Sequence, residues 1–92
     1  MDPTITCDDR VDIVALYRAQ SEPTHITQPY KMRWKGRDII FTQLGLRHPT
    51  AKGKRMIHVF DVSDGCDDYR LEFDAEALTW TLTAVIPGGT RA

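Results

Sequence analysis

Apolar and polar residues alternate along much of this 92-residue chain. The alternation is strict over residues 30–34, 69–73 and 78–86, where every second residue is apolar. Because successive side chains of an extended chain point to opposite faces, this pattern predicts strands with one buried face. Residues 55–63 are apolar on both faces, which predicts a strand in a more central position.

Residues that favour turns lie between these segments. Lys35-Gly36 and Asp64-Gly65 each supply a glycine that can adopt a positive φ, as short hairpin turns require. Residues 74–77, with the sequence DAEA, suit a four-residue connection. Residues 45–54, with the sequence GLRHPTAKGK, contain two glycines and a proline, so we predict a long surface loop there.

The segment over residues 9–20 fits two secondary structures. Its β-branched residues and short apolar run favour a strand. A helix is the alternative, since Thr6 and Asp9 have the spacing of a capping box. We expect residues 1–10 and 87–92 to be flexible.

Five or six short strands joined by tight turns predict a single all-β domain over residues 1–92, built as an antiparallel meander. The apolar face of such a sheet must be buried, so the sheet is expected to curl into a small barrel or fold into a sandwich. The predicted core consists of Tyr30, Met32, Trp34, Ile40, Phe60, Tyr69, Leu71, Phe73, Leu78, Trp80 and Leu82.

Composition adds an expectation about the compartment. The start of the chain is acidic, unlike a secretory leader, and the longest apolar run, residues 13–17, is far shorter than the roughly 20 residues of a membrane span. We therefore expect a cytoplasmic protein with no membrane partner. Cys7 and Cys66 are expected to be free thiols, and the scattered histidines predict no metal site or cofactor.

Charge is distributed in two opposed blocks. Residues 30–58 contain eight basic residues and one acidic residue, whereas residues 59–78 contain seven acidic residues and one basic residue. Lys31, Arg33, Lys35 and Arg37 occupy every second position between residues 31 and 37 of the first block. Such asymmetry bears on partners and association more than on the fold.

Three interpretations of the basic row follow. The first is the solvated face of a strand, paired across the sheet with the acidic strand 68–74. The second is a surface that binds a protein partner or a second copy of the chain. The alternative function is binding of the phosphate backbone of nucleic acids. The candidate binding residues are Lys31, Arg33, Lys35, Arg37, Arg47, His48, Lys52, Lys54 and Arg55.

No set of residues has the arrangement of a catalytic site. His58, Asp61 and Ser63 are close in sequence, but His58 and Asp61 point to opposite faces of one strand. No phosphate-binding glycine motif occurs, and we expect a non-catalytic protein.

The hairpin containing Trp34, Gly36 and Arg37, followed by a strand pair that ends in Trp80, resembles short uncharacterised bacterial β-domain families with a Trp-x-Gly-Arg hairpin. The resemblance covers residues 30–86. It implies a small β fold and a bacterial cytosolic setting, and it implies no activity.

Overall fold

The structure, a computed structural model, describes residues 4–17 and 27–88. These residues form eight strands and no helix, and every strand pairing is antiparallel. The strands are β1 (Ile5–Arg10), β2 (Asp12–Tyr17), β3 (Thr27–Trp34), β4 (Arg37–Ile40), β5 (Gln43–Lys52), β6 (Arg55–Ser63), β7 (Asp68–Asp74) and β8 (Thr79–Ile86). The prediction of an all-β antiparallel fold is confirmed. No helix long and apolar enough to cross a membrane is found among the described residues.

The strands form two sheets. The five-stranded sheet has the order β1-β8-β7-β6-β5, and the three-stranded sheet has the order β2-β3-β4. The chain passes between the sheets at Val11 and again at Phe41 and Thr42. At these corners Val11 N donates to Trp80 O over 3.1 Å, and Thr42 N donates to Ser63 O over 2.8 Å. Strand β6 lies inside its sheet, as its apolar composition predicted.

The ambiguous N-terminal segment is extended, as the strand alternative predicted, but it is divided between two strands. Residues 9 and 10 end β1, and residues 12–17 form β2, so the helix alternative is wrong for this part of the chain. Residues 18–20 lie outside the described residues. Residues 5–10, where we expected flexibility, form β1 and pair with β8. Residues 1–3 and 89–92 also lie outside the described part of the chain.

The core lies between the two sheets and receives side chains from both. Trp80 packs against Phe60 and Phe73, with ring centroids 5.3 and 4.7 Å apart. The cluster of buried residues consists of Val11, Met32, Ile39, Phe41, Phe60, Val62, Tyr69, Leu71, Trp80, Leu82 and Val85, and Trp34 and Phe73 pack against it in partly buried positions. Each fully buried aliphatic or aromatic side chain of this kind contributes about 1.5–3 kcal/mol.

Three residues of the predicted core are exposed, and each has a local reason. Tyr30 occupies a bulge of β3, because Val14 pairs with Lys31 whereas Ala15 already pairs with Pro29. Ile40 is on the outer side because its neighbour Ile39 is the buried residue of β4. Leu78 ends the β7–β8 turn with a φ of 58° and is 74% exposed.

The predicted loop over residues 45–54 is wrong. Residues 43–52 form β5, which pairs with β6, and the connection is the two-residue turn Gly53-Lys54. Gly45 lies in an irregularity of the pairing between Leu44 and Arg47, and Pro49 lies in an edge strand, where a missing N–H is tolerated. Pairing with β6 therefore overrides the turn preference of these residues.

The predicted short turns are present. Lys35 and Gly36 have φ values of 53° and 76° and connect Trp34 directly to Arg37, as in a two-residue hairpin turn with two left-handed residues. Residues 75–78 form the β7–β8 turn, in which the N–H groups of Glu76 and Ala77 donate to Asp74 Oδ1.

Candidate functional site

The basic row does not face the acidic strand. The row begins in β3, which pairs with β2 and β4, whereas residues 68–74 form β7, between β6 and β8 of the other sheet. The predicted cross-strand pairing of the two charged segments is therefore wrong. Sequence reasoning could not assign β3 and β7 to different sheets, because that choice depends on pairings between distant parts of the chain.

The four charges of the row also point in different directions. Lys31 and Arg33 alternate with the buried Met32 and lie on the outer face of the three-stranded sheet. Arg37 pairs with Trp34, and directly opposed residues share a face, so Arg37 is on the side of the core. Burial and the hydrogen bond to Asp64 raise the pKa of the Tyr69 hydroxyl, and the charge of Arg37 opposes part of that rise.

Lys35 lies in the β3–β4 turn, between Lys31 and Arg33 on the outer face and Arg37 on the side of the core. Its Nζ is 4.9 Å from the centroid of the Trp34 ring. The indole Nε1 of Trp34 donates to Asp9 Oδ2 over 2.9 Å, which ties β3 to β1 of the other sheet. Trp34 is thus engaged in holding the sheets together and is only partly exposed.

The remaining basic candidates lie on the five-stranded sheet. Lys54 is exposed in the β5–β6 turn, and Arg55 Nη1 forms an ion pair with Asp74 Oδ2 at 2.8 Å. Arg47, His48 and Lys52 have their backbone in β5, and their side chains lie outside the described part of the chain. The described basic side chains therefore form separate groups on two sheets and do not form one continuous stripe.

The outer face of the three-stranded sheet carries a row of three charged residues. Arg33 pairs with Asp12 of β2 on one side and with Asp38 of β4 on the other. Arg33 Nη1 lies 3.3 Å from Asp38 Oδ1, in an exposed ion pair of the kind that contributes about 0.2–1 kcal/mol. Together with Lys31 in the neighbouring row, the described residues of this face include two positive and two negative charges.

The same face carries an apolar patch, formed by Val14, Leu16, Tyr30 and Ile40. These four side chains are between 41% and 49% exposed. Val14 and Ile40 flank Lys31 in the register of the sheet, and Tyr30 precedes Lys31 in the chain. A solvated sheet face normally carries polar residues, and contiguous exposed apolar side chains mark interaction sites.

Val14 and Leu16 were not among the residues predicted from the sequence to form a binding surface. The signal was present, because residues 13–17 are apolar at every position and so leave apolar side chains on both faces of β2. In the structure Ile13 and Ala15 pack against the core, and Val14 and Leu16 are exposed on the opposite face.

The patch continues into a groove of about 240 Å³ at the edge of the sandwich. Leu16 and Tyr30 belong to both the patch and the groove. The apolar part of the groove is completed by Pro29, Phe41 and Leu44. Gln28, Thr42 and Gln43 also line the groove, so it provides a concave site of mixed apolar and polar character next to the flat part of the face.

A larger groove of about 390 Å³ lies on the five-stranded sheet, between β5 and β8. Its charged residues include Asp61 and Arg70, whose carboxylate and guanidinium groups are joined by hydrogen bonds of 2.8 and 3.4 Å. Hydrogen bonding and attraction to Asp61 raise the pKa of Arg70. The two opposite charges satisfy each other, so this groove offers a weaker recognition site than its size suggests.

The loop between β6 and β7 is organised by Asp64. Its Oδ1 accepts hydrogen bonds from the N–H groups of Cys66 and Asp67 at 2.8 and 2.7 Å, and its Oδ2 accepts one from the Tyr69 hydroxyl at 3.0 Å. Desolvation raises the pKa of Asp64, but these hydrogen bonds outweigh it and the pKa is lowered. These groups have a structural role.

Metal ligands are not clustered in the described residues, which contain no group of three or more His, Cys, Asp or Glu side chains able to hold an ion. Cys7 and Cys66 are free thiols, and burial raises the pKa of Cys7. Comparison of the chain with protein-family models, curated proteins and solved structures finds no match.

Proposed function

We propose that this chain is a non-catalytic protein-binding domain and that its contact surface is the outer face of the three-stranded sheet. The observation that carries the proposal is the apolar patch of Val14, Leu16, Tyr30 and Ile40, exposed together on one face. Interfaces between proteins have an apolar centre and a polar rim. The patch supplies such apolar area around Lys31, and the adjacent row of Asp12, Arg33 and Asp38 supplies a polar rim.

Binding of a protein partner, or of a second copy of the chain, agrees with the charge of the face. With two acids beside two basic residues, the described part of the outer face has no net positive charge to attract phosphates. Among the described residues Tyr30 is the exposed aromatic side chain, and one ring does not provide the series of stacking positions on which single-stranded nucleic acids bind. The nucleic-acid alternative therefore has less support.

Strand addition at β5 is a weaker way to bind a partner. This edge strand is long, but it contains Pro49 and the irregularity at Gly45, and both features discourage pairing with another chain. A contact through side chains of the sheet face does not depend on an open edge.

The proposal can be tested by photo-crosslinking in the cells that produce the protein. A crosslinking residue at position 40 is expected to give discrete protein adducts, and one at position 56 is not. Met56 is a matched control, since it is 52% exposed on the other sheet. Ile40→Asp should abolish adducts from a crosslinker at position 14, whereas Met56→Asp should leave them unchanged. Adducts that form only at position 56 would place the contact on the other sheet and contradict the proposal.

A further inference from the structure

Lys31 has an unusual place on this face. In the register of the sheet it lies between Val14 and Ile40, so its side chain leaves the sheet between two apolar residues. Its side chain is partly buried, and no described carboxylate lies within ion-pair distance of it. Arg33, in the next row, already has Asp38 as a partner. Lys31 is therefore the charge that a bound molecule would meet at the centre of the patch.

This position argues against a second copy of the chain as the occupant. When a face packs against its own copy, the twofold axis lies within the interface and the residues near the axis meet their own equivalents. A dimer centred on the patch would bring Lys31 against the Lys31 of the partner subunit. Like charges opposed in a desolvated contact cost several kcal/mol, so this arrangement is unfavourable.

We propose that the occupant is a different protein, whose contact segment presents a carboxylate surrounded by apolar side chains. The inference rests on the proposed function of this face. The carboxylate pairs with Lys31, and the apolar side chains cover Val14 and Ile40. A further apolar side chain of the partner enters the groove beside Leu16 and Tyr30.

The acids at the edge of the face sharpen this specificity. Asp12 of β2 and Asp38 of β4 lie on either side of Arg33, in the row across the sheet next to that of Lys31. Because Arg33 lies between these two acids, an acidic residue of the partner would be repelled only over Asp12 or Asp38, whereas one placed over Lys31 would be attracted. The face therefore selects a segment with an acidic centre and penalises one that is acidic throughout.

A phage-displayed library of random peptides tests this inference directly. Selection on the wild-type protein is expected to enrich peptides in which Asp or Glu is flanked by apolar residues. Selection on Lys31→Glu is expected to reverse the preference, so that Lys or Arg takes the acidic position. Met56→Asp, the control on the other sheet, should select the same peptides as the wild type. In a synthetic peptide from the wild-type selection, replacing the acid by its amide should weaken binding about tenfold or more.

The outcomes separate this inference from the proposed function. If Ile40→Asp abolishes selection but Lys31→Glu selects the same acidic peptides as the wild type, the face binds and the role of Lys31 is wrong. If wild type and Ile40→Asp enrich the same peptides, or neither enriches any, the proposed function fails as well. A wild-type dimer in analytical ultracentrifugation that Ile40→Asp converts to a monomer would show that a second copy is the occupant, which overturns the inference and leaves the proposed face in place.

Discussion

Asp64 shows how one side chain can fix a loop. Its two carboxylate oxygens accept three hydrogen bonds, from the backbone of Cys66 and Asp67 and from the hydroxyl of Tyr69. Tyr69 is 3% exposed, and its ring packs against Phe41 at the corner between β4 and β5. A single aspartate thus connects the turn geometry of the β6–β7 loop to the core.

We expect Tyr69→Phe to lower the free energy of unfolding by about 1.5 kcal/mol, because it removes a hydrogen bond to a charged group and keeps the ring in the core. Tyr30→Phe is the matched control, since Tyr30 is exposed and its hydroxyl has no hydrogen bond to another described residue. That change should stay within about 0.5 kcal/mol of the wild type. Urea denaturation of the three proteins measures the difference. Equal losses in the two variants would contradict the role given to the Tyr69 hydroxyl.

The lowered pKa of Asp64 makes a prediction about acid stability. Desolvation raises the pKa of this carboxyl, but hydrogen bonds to its charged form lower it by more, so the net direction is downward. The folded state therefore binds the Asp64 proton less tightly than the unfolded chain, in which the pKa is about 3.9. The stabilisation is fully present above that value and is lost as the pH falls through the folded pKa.

Asp64→Asn should accordingly be less stable than the wild type near neutral pH, and the gap between the two proteins should narrow in acid. Urea midpoints measured at several pH values between neutral and strongly acidic conditions would show this. The difference between the two urea midpoints is compared, and not each midpoint alone, because the pKa of Asp74 is also lowered and adds to the pH dependence of both proteins. A gap that is independent of pH would rule out the contribution of the Asp64 charge.

At the scale of elements, the β7–β8 turn contains a residue with a strained backbone. Leu78 has a φ of 58°, in the left-handed region that costs non-glycine residues about 1–2 kcal/mol. Its side chain is 74% exposed and recovers little of this cost by packing. The turn persists because Asp74 Oδ1 accepts hydrogen bonds from Glu76 and Ala77, and because β7 and β8 pair on either side of it.

Leu78→Asn should raise the free energy of unfolding by about 0.5–1 kcal/mol, since asparagine tolerates the left-handed region better than leucine. The control is Ala77→Gly in the same turn. Ala77 is absent from the residues with positive φ, so glycine there only adds freedom to the unfolded chain and should destabilise. Thermal unfolding of both variants would test the pair. A loss of stability in Leu78→Asn would mean that the leucine side chain makes a stabilising contact.

Alternation predicted the segments of β3, β7 and β8, but it could not predict where the alternation slips. In β3 the pattern assigns Tyr30, Met32 and Trp34 to one face, whereas the bulge at Tyr30 leaves Pro29 and Met32 as the buried residues. A bulge is a property of the pairing with β2, and a single strand does not reveal it. The same limit applies to β5, whose Gly45 and Pro49 favour a loop until the neighbouring strand β6 pairs with them.

At the scale of the whole molecule, a sandwich was one of the two predicted architectures, but the assignment of each strand to one of its two sheets was not predicted. The chain bends at Val11, between β1 and β2, and at Phe41 and Thr42, between β4 and β5. At each bend, one of the two strands belongs to the five-stranded sheet and the other to the three-stranded sheet. The five-stranded sheet is completed by β1 and β8, which come from opposite ends of the described chain. Such pairing depends on long-range contacts and loop closure, which local patterns do not encode. The candidate face could be predicted only in part, through Lys31 and Arg33, because its apolar members required this topology.

The arrangement of charge on the folded molecule makes a last prediction, about nucleic acids. Because the basic row is divided between two surfaces and its outer part is balanced by Asp12 and Asp38, we expect no oligonucleotide binding by fluorescence anisotropy, even at about 50 mM salt. Asp12→Lys combined with Asp38→Lys is a positive control, since it places four cations side by side on the outer face. This variant should bind at about 50 mM salt and release at about 200 mM salt, as counterion release requires. Wild-type binding with the same salt dependence would show that the native basic residues act together, and it would favour the nucleic-acid function over the protein-binding face.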